Sequence, residues 1–312
     1  MTTLIVTSSW PRTGDEIAGT FVRRDALVRA RRDRVIVAAP EGAGAARVGD
    51  GLTVVDVPHG GLFGSPGATE RARRAPWRVL GLVAFARSIR ALIDEVRPAT
   101  IVAHWLVPSG LVVAEMLAHP IGRLELVAHG ADVRLLRALP PSIARRLVER
   151  IARRAEVVRA VAPPLAARLL ELAPLLAQKL VIAPMPLATD EPAVRRDVER
   201  RAANLREGLS PLHVVASRLV ASKRIERAID HVARHGGRLV LVGDGPMRAS
   251  LAEHARRRGV DARFVGARPH DEALGWIAAA DVVLAPLALD EGAPTAAREA
   301  ESLGRAVICF RD

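Results

Sequence analysis

Short apolar runs at 4–7, 35–39, 53–57, 100–104, 124–128 and 157–161 alternate, through the first half of the chain, with longer segments whose apolar positions recur every three to four residues. Runs of four to six Val, Ile and Leu with little polar interruption are what strands covered on both faces require. The longer period marks helices with one buried stripe, over 21–31, 77–96, 108–118, 142–154 and 164–172. Strict alternation of the two predicts a parallel sheet wound on both sides by helices. Segment 183–192 then carries Pro184, Pro186 and Pro192 and no period, so it is expected to be an interdomain linker. A second series follows, with strands at 212–217, 239–242, 262–265, 282–285 and 306–310 and helices at 225–234, 247–258, 272–279 and 295–303. The expectation is an α/β chain of two doubly wound, Rossmann-like domains, 1–184 and 185–312, the second shorter by a strand and a helix or two. Such domains bind ligands at the C-terminal ends of their strands, which predicts a site in a cleft between the two.

Composition narrows the class. The most apolar stretch, 79–86, is closed by Arg78 and Arg87, far short of the roughly 18 apolar residues a membrane span needs. Residues 1–10 lack a basic leader and read as a strand, and Cys309 is the single cysteine, so a cytoplasmic protein without a disulfide framework or cysteine zinc site is expected. Lys and Arg number 46 against 34 Asp and Glu, a formal charge of +12, which raises nucleic acid, an anionic membrane or a phosphorylated substrate as partner. Tyr is absent and Phe plus Trp reach only 3%, so the stacking platforms of single-strand readers are missing, and no zinc-finger spacing or basic leucine-zipper pattern occurs. Nucleic acid is therefore not expected. Nearly every basic residue is Arg, lysine occurring only at Lys179 and Lys223. A lysine kept against that bias marks a position to trace.

Lys223 falls in Ser217-Arg218-Leu219-Val220-Ala221-Ser222-Lys223, between a predicted strand and its helix. A guanidinium fork at Arg218 and a point charge at Lys223 suit two neighbouring phosphates. After the strand 282–285 comes Asp290-Glu291-Gly292-Ala293-Pro294-Thr295, opening a helix that carries Glu299. Proline fits a first helical turn, whose free N–H groups and dipole attract an anion. Carboxylates beside such a site accept hydrogen bonds from sugar hydroxyls. Gly243-Asp244-Gly245-Pro246 is a weak dinucleotide fingerprint, because Arg248 stands at the third glycine position and no acid ends the next strand, so it reads as a tight turn near a ligand. Gly19 opens the first helix where backbone could approach a ligand. Two predicted strands end in His104-Trp105-Leu106-Val107-Pro108-Ser109-Gly110 and His129-Gly130-Ala131-Asp132, a histidine pair with no third ligand at metal-binding spacing.

Taken together these segments resemble the retaining GT-B glycosyltransferases of sequence family 4, most strongly over 217–307 through the Glu291-x7-Glu299 pair, the Arg218 and Lys223 pair and the Gly243-to-Pro246 turn. The resemblance implies a GT-B fold that continues past Asp312 with a further strand and helices. It implies that Arg218 and Lys223 hold the diphosphate of a nucleotide sugar and Glu299 its ribose, while Glu291 and the backbone of Gly292, Ala293, Pro294 and Thr295 hold the donor sugar. His129 would approach that sugar from the N-terminal domain, with Gly19, His104, Asp132, Gly243 and Gly245 in support. No metal or cofactor is expected, since no Asp-x-Asp triplet occurs and the cations can stabilise a departing diphosphate. The acceptor would be a sugar, a lipid-linked precursor or a small molecule. Other readings are a non-catalytic nucleotide-sugar or lipid-headgroup binder and a GT-B epimerase or phosphorylase. Finally, segment 71–90 joins Arg71, Arg73, Arg74, Arg78, Arg87 and Arg90 to Trp77, Leu80, Leu82, Val83 and Phe85, which suits reversible contact with the inner, anionic face of a membrane.

Overall fold

The computed structural model describes residues 1–11, 19–42, 46–47, 51–64, 67–116, 122–206, 208, 211–286 and 294–310. The chain divides into two compact units, Met1–Pro186 and Leu187–Asp312. In the first unit the strands are β1 (Thr2–Val6), β2 (Arg34–Pro40), β3 (Ala46–Arg47), β4 (Leu52–Val57), β5 (Thr100–His104), β6 (Arg123–Ala128), β7 (Val157–Ala160) and β8 (Leu180–Ile182). They form one sheet in the order β3-β4-β2-β1-β5-β6-β7-β8, parallel except for the short β3. The order reverses between β1 and β5, whose register pairs Ile5 with Val102. Apolar side chains cover both faces. Leu4, Val6, Phe85, Ile89 and Ile101 pack on one, and Ile5, Val22, Val37 and Val102 on the other. This double covering is why these strands read as continuous apolar runs.

The second unit repeats the plan with β9 (Leu212–Ala216), β10 (Arg238–Val242), β11 (Ala262–Gly266), β12 (Val282–Pro286) and β13 (Ala306–Phe310), all parallel, in the order β11-β10-β9-β12-β13. Here the order reverses between β9 and β12.

Four departures from the expected pattern have local causes. The linker ends early, because Pro192 occupies the first turn of a helix, Pro192–Leu205, where its missing N–H costs nothing. Val194, Val198, Ala202 and Leu205 of that helix pack with Leu274 and Ile277 of the helix His270–Ala279. The helix expected at 108–118 begins regularly only at Leu111, since Val107 takes an extended conformation inside a wide turn, Leu106–Gly110. Helices Ala68–Arg74 and Ala131–Arg137 span about two turns each, too short to show a period. Strand β8, three residues long, was hidden for the same reason. The second retained lysine has a structural task, as Lys179 Nζ donates to the carbonyls of Ala152 (3.1 Å) and Ala155 (2.8 Å) at the end of the helix Pro141–Arg154.

Candidate functional site

Both candidate regions lie where a strand order reverses. In the first unit, His104 ends β5 and His129 follows β6, so neighbouring parallel strands bring the rings together. His104 Nδ1 and His129 Nε2 are 2.9 Å apart, with the ring planes 17° from parallel. His104 is fully buried and its Nε2 lies 3.5 Å from Asp25 Oδ2, on the helix Thr20–Ala30 that follows β1. Asp25 is buried as well. It accepts from Arg29 Nε (2.8 Å) and Arg159 Nη2 (3.0 Å), and Glu125 Oε1 accepts from Arg29 Nη2 (2.7 Å). Burial alone would push the Asp25 carboxyl up, but His104 and the charges of Arg159 and Arg29 outweigh it and hold the group far below the ordinary carboxylate range. Burial pushes His104 down despite Asp25, and pushes His129 well down, with the charges of His104 and Arg159 adding to the effect. Both imidazoles are therefore neutral near pH 7.

His129 remains partly exposed between two aromatic rings, Phe21 at 4.9 Å and Trp105 at 4.8 Å between centroids. Asp132 fixes the loops that carry it. Its carboxylate is buried and accepts four backbone N–H groups, from Leu106 (2.8 Å), His129 (3.1 Å), Gly130 (3.0 Å) and Val133 (3.0 Å). Asp132 is thus the clamp that ties the end of β6 to the loop after β5. The sequence singles out His104, His129 and Asp132 but not Asp25, Glu125, Phe21 or Arg159. A buried acid in a helix otherwise lined by Val22 and Ala26 was the one available signal.

In the second unit β9 and β12 pair directly, Val214 with Val283, so the two strands are neighbours in the sheet. Arg218 is exposed, and Lys223 is half-buried at the end of the turn Ala221–Lys223. Pro294 caps the helix Thr295–Ser302, which follows β12 in the chain. Glu299, on that helix, is buried and its Oε1 lies 2.7 Å from His270 Nε2, a partner the sequence did not indicate. Glu291, Gly292 and Ala293 lie outside the described residues. Among the described residues no group of three or more His, Cys, Asp or Glu could hold a metal ion.

The glycines have packing reasons of their own. A Cβ on Gly243 would lie 1.9 Å from the Ser217 carbonyl oxygen, and one on Gly245 2.4 Å from that of Leu219. Their absence lets the two strand-end loops hydrogen-bond, Leu219 N–H to Asp244 O (2.9 Å) and Met247 N–H to Leu219 O (3.0 Å). Gly19 has φ +76°, with the Ser9 and Trp10 backbone 2.7 Å from where a Cβ would sit. On that side protein, not ligand, makes the close approach.

Residues 211–312 match the profile of a family described as Glycosyl transferases group 1. No curated protein matches the chain. Among solved structures, sucrose-phosphate synthase from Thermosynechococcus elongatus is similar at 19% identity and TM-score 0.72, over 99% of this chain and 81% of that one. Anabaena Alr3699/HepE, in complex with UDP-glucose, is similar at 18% identity and TM-score 0.68, over 99% and 80%. UDP-N-acetylglucosamine 2-epimerase from Rickettsia bellii is similar at 10% identity and TM-score 0.61, over 100% and 79%. Two doubly wound units over essentially the whole chain give this protein the GT-B fold. A fold that also houses an epimerase does not choose the reaction.

Proposed function

We propose that the protein is a glycosyltransferase that moves a sugar from a nucleoside diphosphate sugar to an acceptor, with retention at the anomeric carbon. The observation that carries this reading is the position of Arg218 and Lys223 directly after β9, at the β9/β12 reversal of the strand order, inside the segment that matches Glycosyl transferases group 1. As the anomeric C–O bond breaks, negative charge grows on the diphosphate. Fixed cations and a helix N-terminus that already point there lower the barrier without reorganising. Arg218 and Lys223 hold the diphosphate, Glu299 takes the ribose hydroxyls, and Glu291 with Gly292 to Thr295 holds the sugar. His129 contributes from the first unit. In this reading no metal or cofactor takes part, the cations supplying the charge. Support comes from two structural neighbours, Alr3699/HepE, which is in complex with UDP-glucose, and a sucrose-phosphate synthase.

The acceptor side includes contact with an anionic membrane. Of the apolar residues between 71 and 90, Phe85 is buried in the core, Leu82 packs against it, and Trp77 (69% exposed), Leu80 (72%) and Val83 (49%) stand free beside Arg73, Arg74 and Arg87. Among the described residues no helix is long and apolar enough to cross a membrane.

The deciding experiment incubates the protein with a panel of nucleoside diphosphate sugars, with and without sugar and lipid-linked acceptors, and follows diphosphate release and the anomeric configuration of the product by NMR. Acceptor-dependent release with retained configuration is expected. Epimerised sugar, or binding without turnover across the panel, overturns the reading in favour of an epimerase or a binding protein.

A further inference from the structure

The histidine pair carries an orientation that neither ring could set alone. His104 Nε2 is buried and lies 3.5 Å from the Asp25 carboxylate, which two arginines hold in place. A lone pair on Nε2 would face that negative oxygen, so the proton belongs on Nε2. His104 Nδ1 then bears the lone pair, and the 2.9 Å contact requires His129 Nε2–H to donate to it. What is left on His129 is an Nδ1 lone pair, for which the described residues supply no hydrogen-bond partner, on a partly exposed ring between Phe21 and Trp105. The groups facing this pair are Asp25 and Arg29 from the helix Thr20–Ala30, Glu125 from β6, Arg159 from β7 and, through the loop backbone, Asp132.

We propose that Asp25, acting through His104, fixes His129 as the Nε2–H tautomer, so that its Nδ1 offers a hydrogen-bond acceptor, not a cation, to a hydroxyl of the bound sugar. Asp25 and His104 are positioning residues, and His129 is the group that touches substrate. The sugar contact rests on the glycosyltransferase reading, whereas the tautomer does not. A neutral acceptor suits a carbon that is gaining positive charge, since an imidazolium there would oppose the developing charge. It also selects a hydroxyl as the donor partner.

The full chain, labelled with 15N-histidine and assigned through backbone connectivities, is examined by two-bond 1H–15N correlation at pH 7.5 without ligand. Expected are neutral His104 and His129 rings, each protonated on Nε2. A His129 ring protonated on Nδ1, or charged at pH 7.5, overturns the relay whatever the reaction turns out to be. His104→Gln, and Asp25→Asn as a second variant, should shift His129 toward a mixture of tautomers. An unchanged His129 tautomer in a folded His104→Gln protein removes His104 from the relay. Once transfer is measured, His104→Gln should lower kcat by at least about tenfold with little change in KM, one aligned hydrogen bond being lost at the reacting sugar. A confirmed tautomer with unchanged kcat keeps the relay and removes the sugar contact. A confirmed tautomer in a protein that transfers no sugar leaves the relay standing and overturns only the reading of the reaction.

Discussion

The two units use one topology for opposite electrostatics. At the β1/β5 reversal of the first, buried acids are paired within the unit, with Asp25 accepting from Arg29 and Arg159 and four backbone N–H groups converging on Asp132. At the β9/β12 reversal of the second, Arg218 is exposed and Lys223 is half-buried in the stretch that follows β9. The first arrangement pairs its acids within the unit and presents a neutral ring. The second places Arg218 and Lys223 directly after β9. In the proposed reading the second unit binds the diphosphate and the first meets uncharged hydroxyls.

The largest effect should come from breaking the satisfied side. Asp25→Ala takes from Arg29 and Arg159 their shared buried carboxylate and leaves both to Glu125 beside a buried histidine, a loss of about 3–5 kcal/mol, seen as a lower denaturant midpoint. A loss under about 1 kcal/mol would show that the first unit is not electrostatically closed. On the other side, Lys223→Ala, Glu291→Ala and Glu299→Ala should each cost roughly 1.5–3 kcal/mol of transition-state stabilisation, one to two decades in turnover, while the fold persists. Unchanged kinetics in all three removes the diphosphate site. Excess EDTA should leave turnover intact, and loss of activity restored by a divalent ion would transfer the work of Arg218 and Lys223 to a metal.

Acid distinguishes the units more gently. Burial pushes His104 and His129 in the first unit, and His213 and His231 in the second, below the ordinary value of about 6.5. Below that pH the unfolded chain binds protons that the folded one refuses, so stability falls as pH drops from about 6.5 toward the folded values, and these groups leave it flat above. The limit is about 1.4 kcal/mol per pH unit for each ring. His129→Gln should flatten this acid limb, and an equally steep limb would place the pH sensitivity in the second unit. Smallest is the membrane term, about 1 kcal/mol per basic residue reaching the surface. Co-sedimentation with anionic vesicles should be lost in high salt and weakened by Trp77→Ser. Equal binding to neutral vesicles, or none to either, would reduce the basic face to solvated charge.

Most strands and longer helices were legible because apolar periodicity is a local property, repeated often enough to be read. Elements of two turns or three residues, such as Ala131–Arg137 and β8, lacked the length to show a period. The sequence by itself determined two α/β series, the cations after β9, the helix start after β12 and the two histidines at strand ends. It could not supply partners. Asp25 and Arg159 stand 134 positions apart, Glu299 and His270 29 apart, and nothing local announces either pair. Nor did it reveal that Gly243 and Gly245 serve the packing of one loop on another. Only the tertiary structure decided these, because pairing of buried charge is set by which strands the sheet makes neighbours, and an unpaired charge would not be tolerated there.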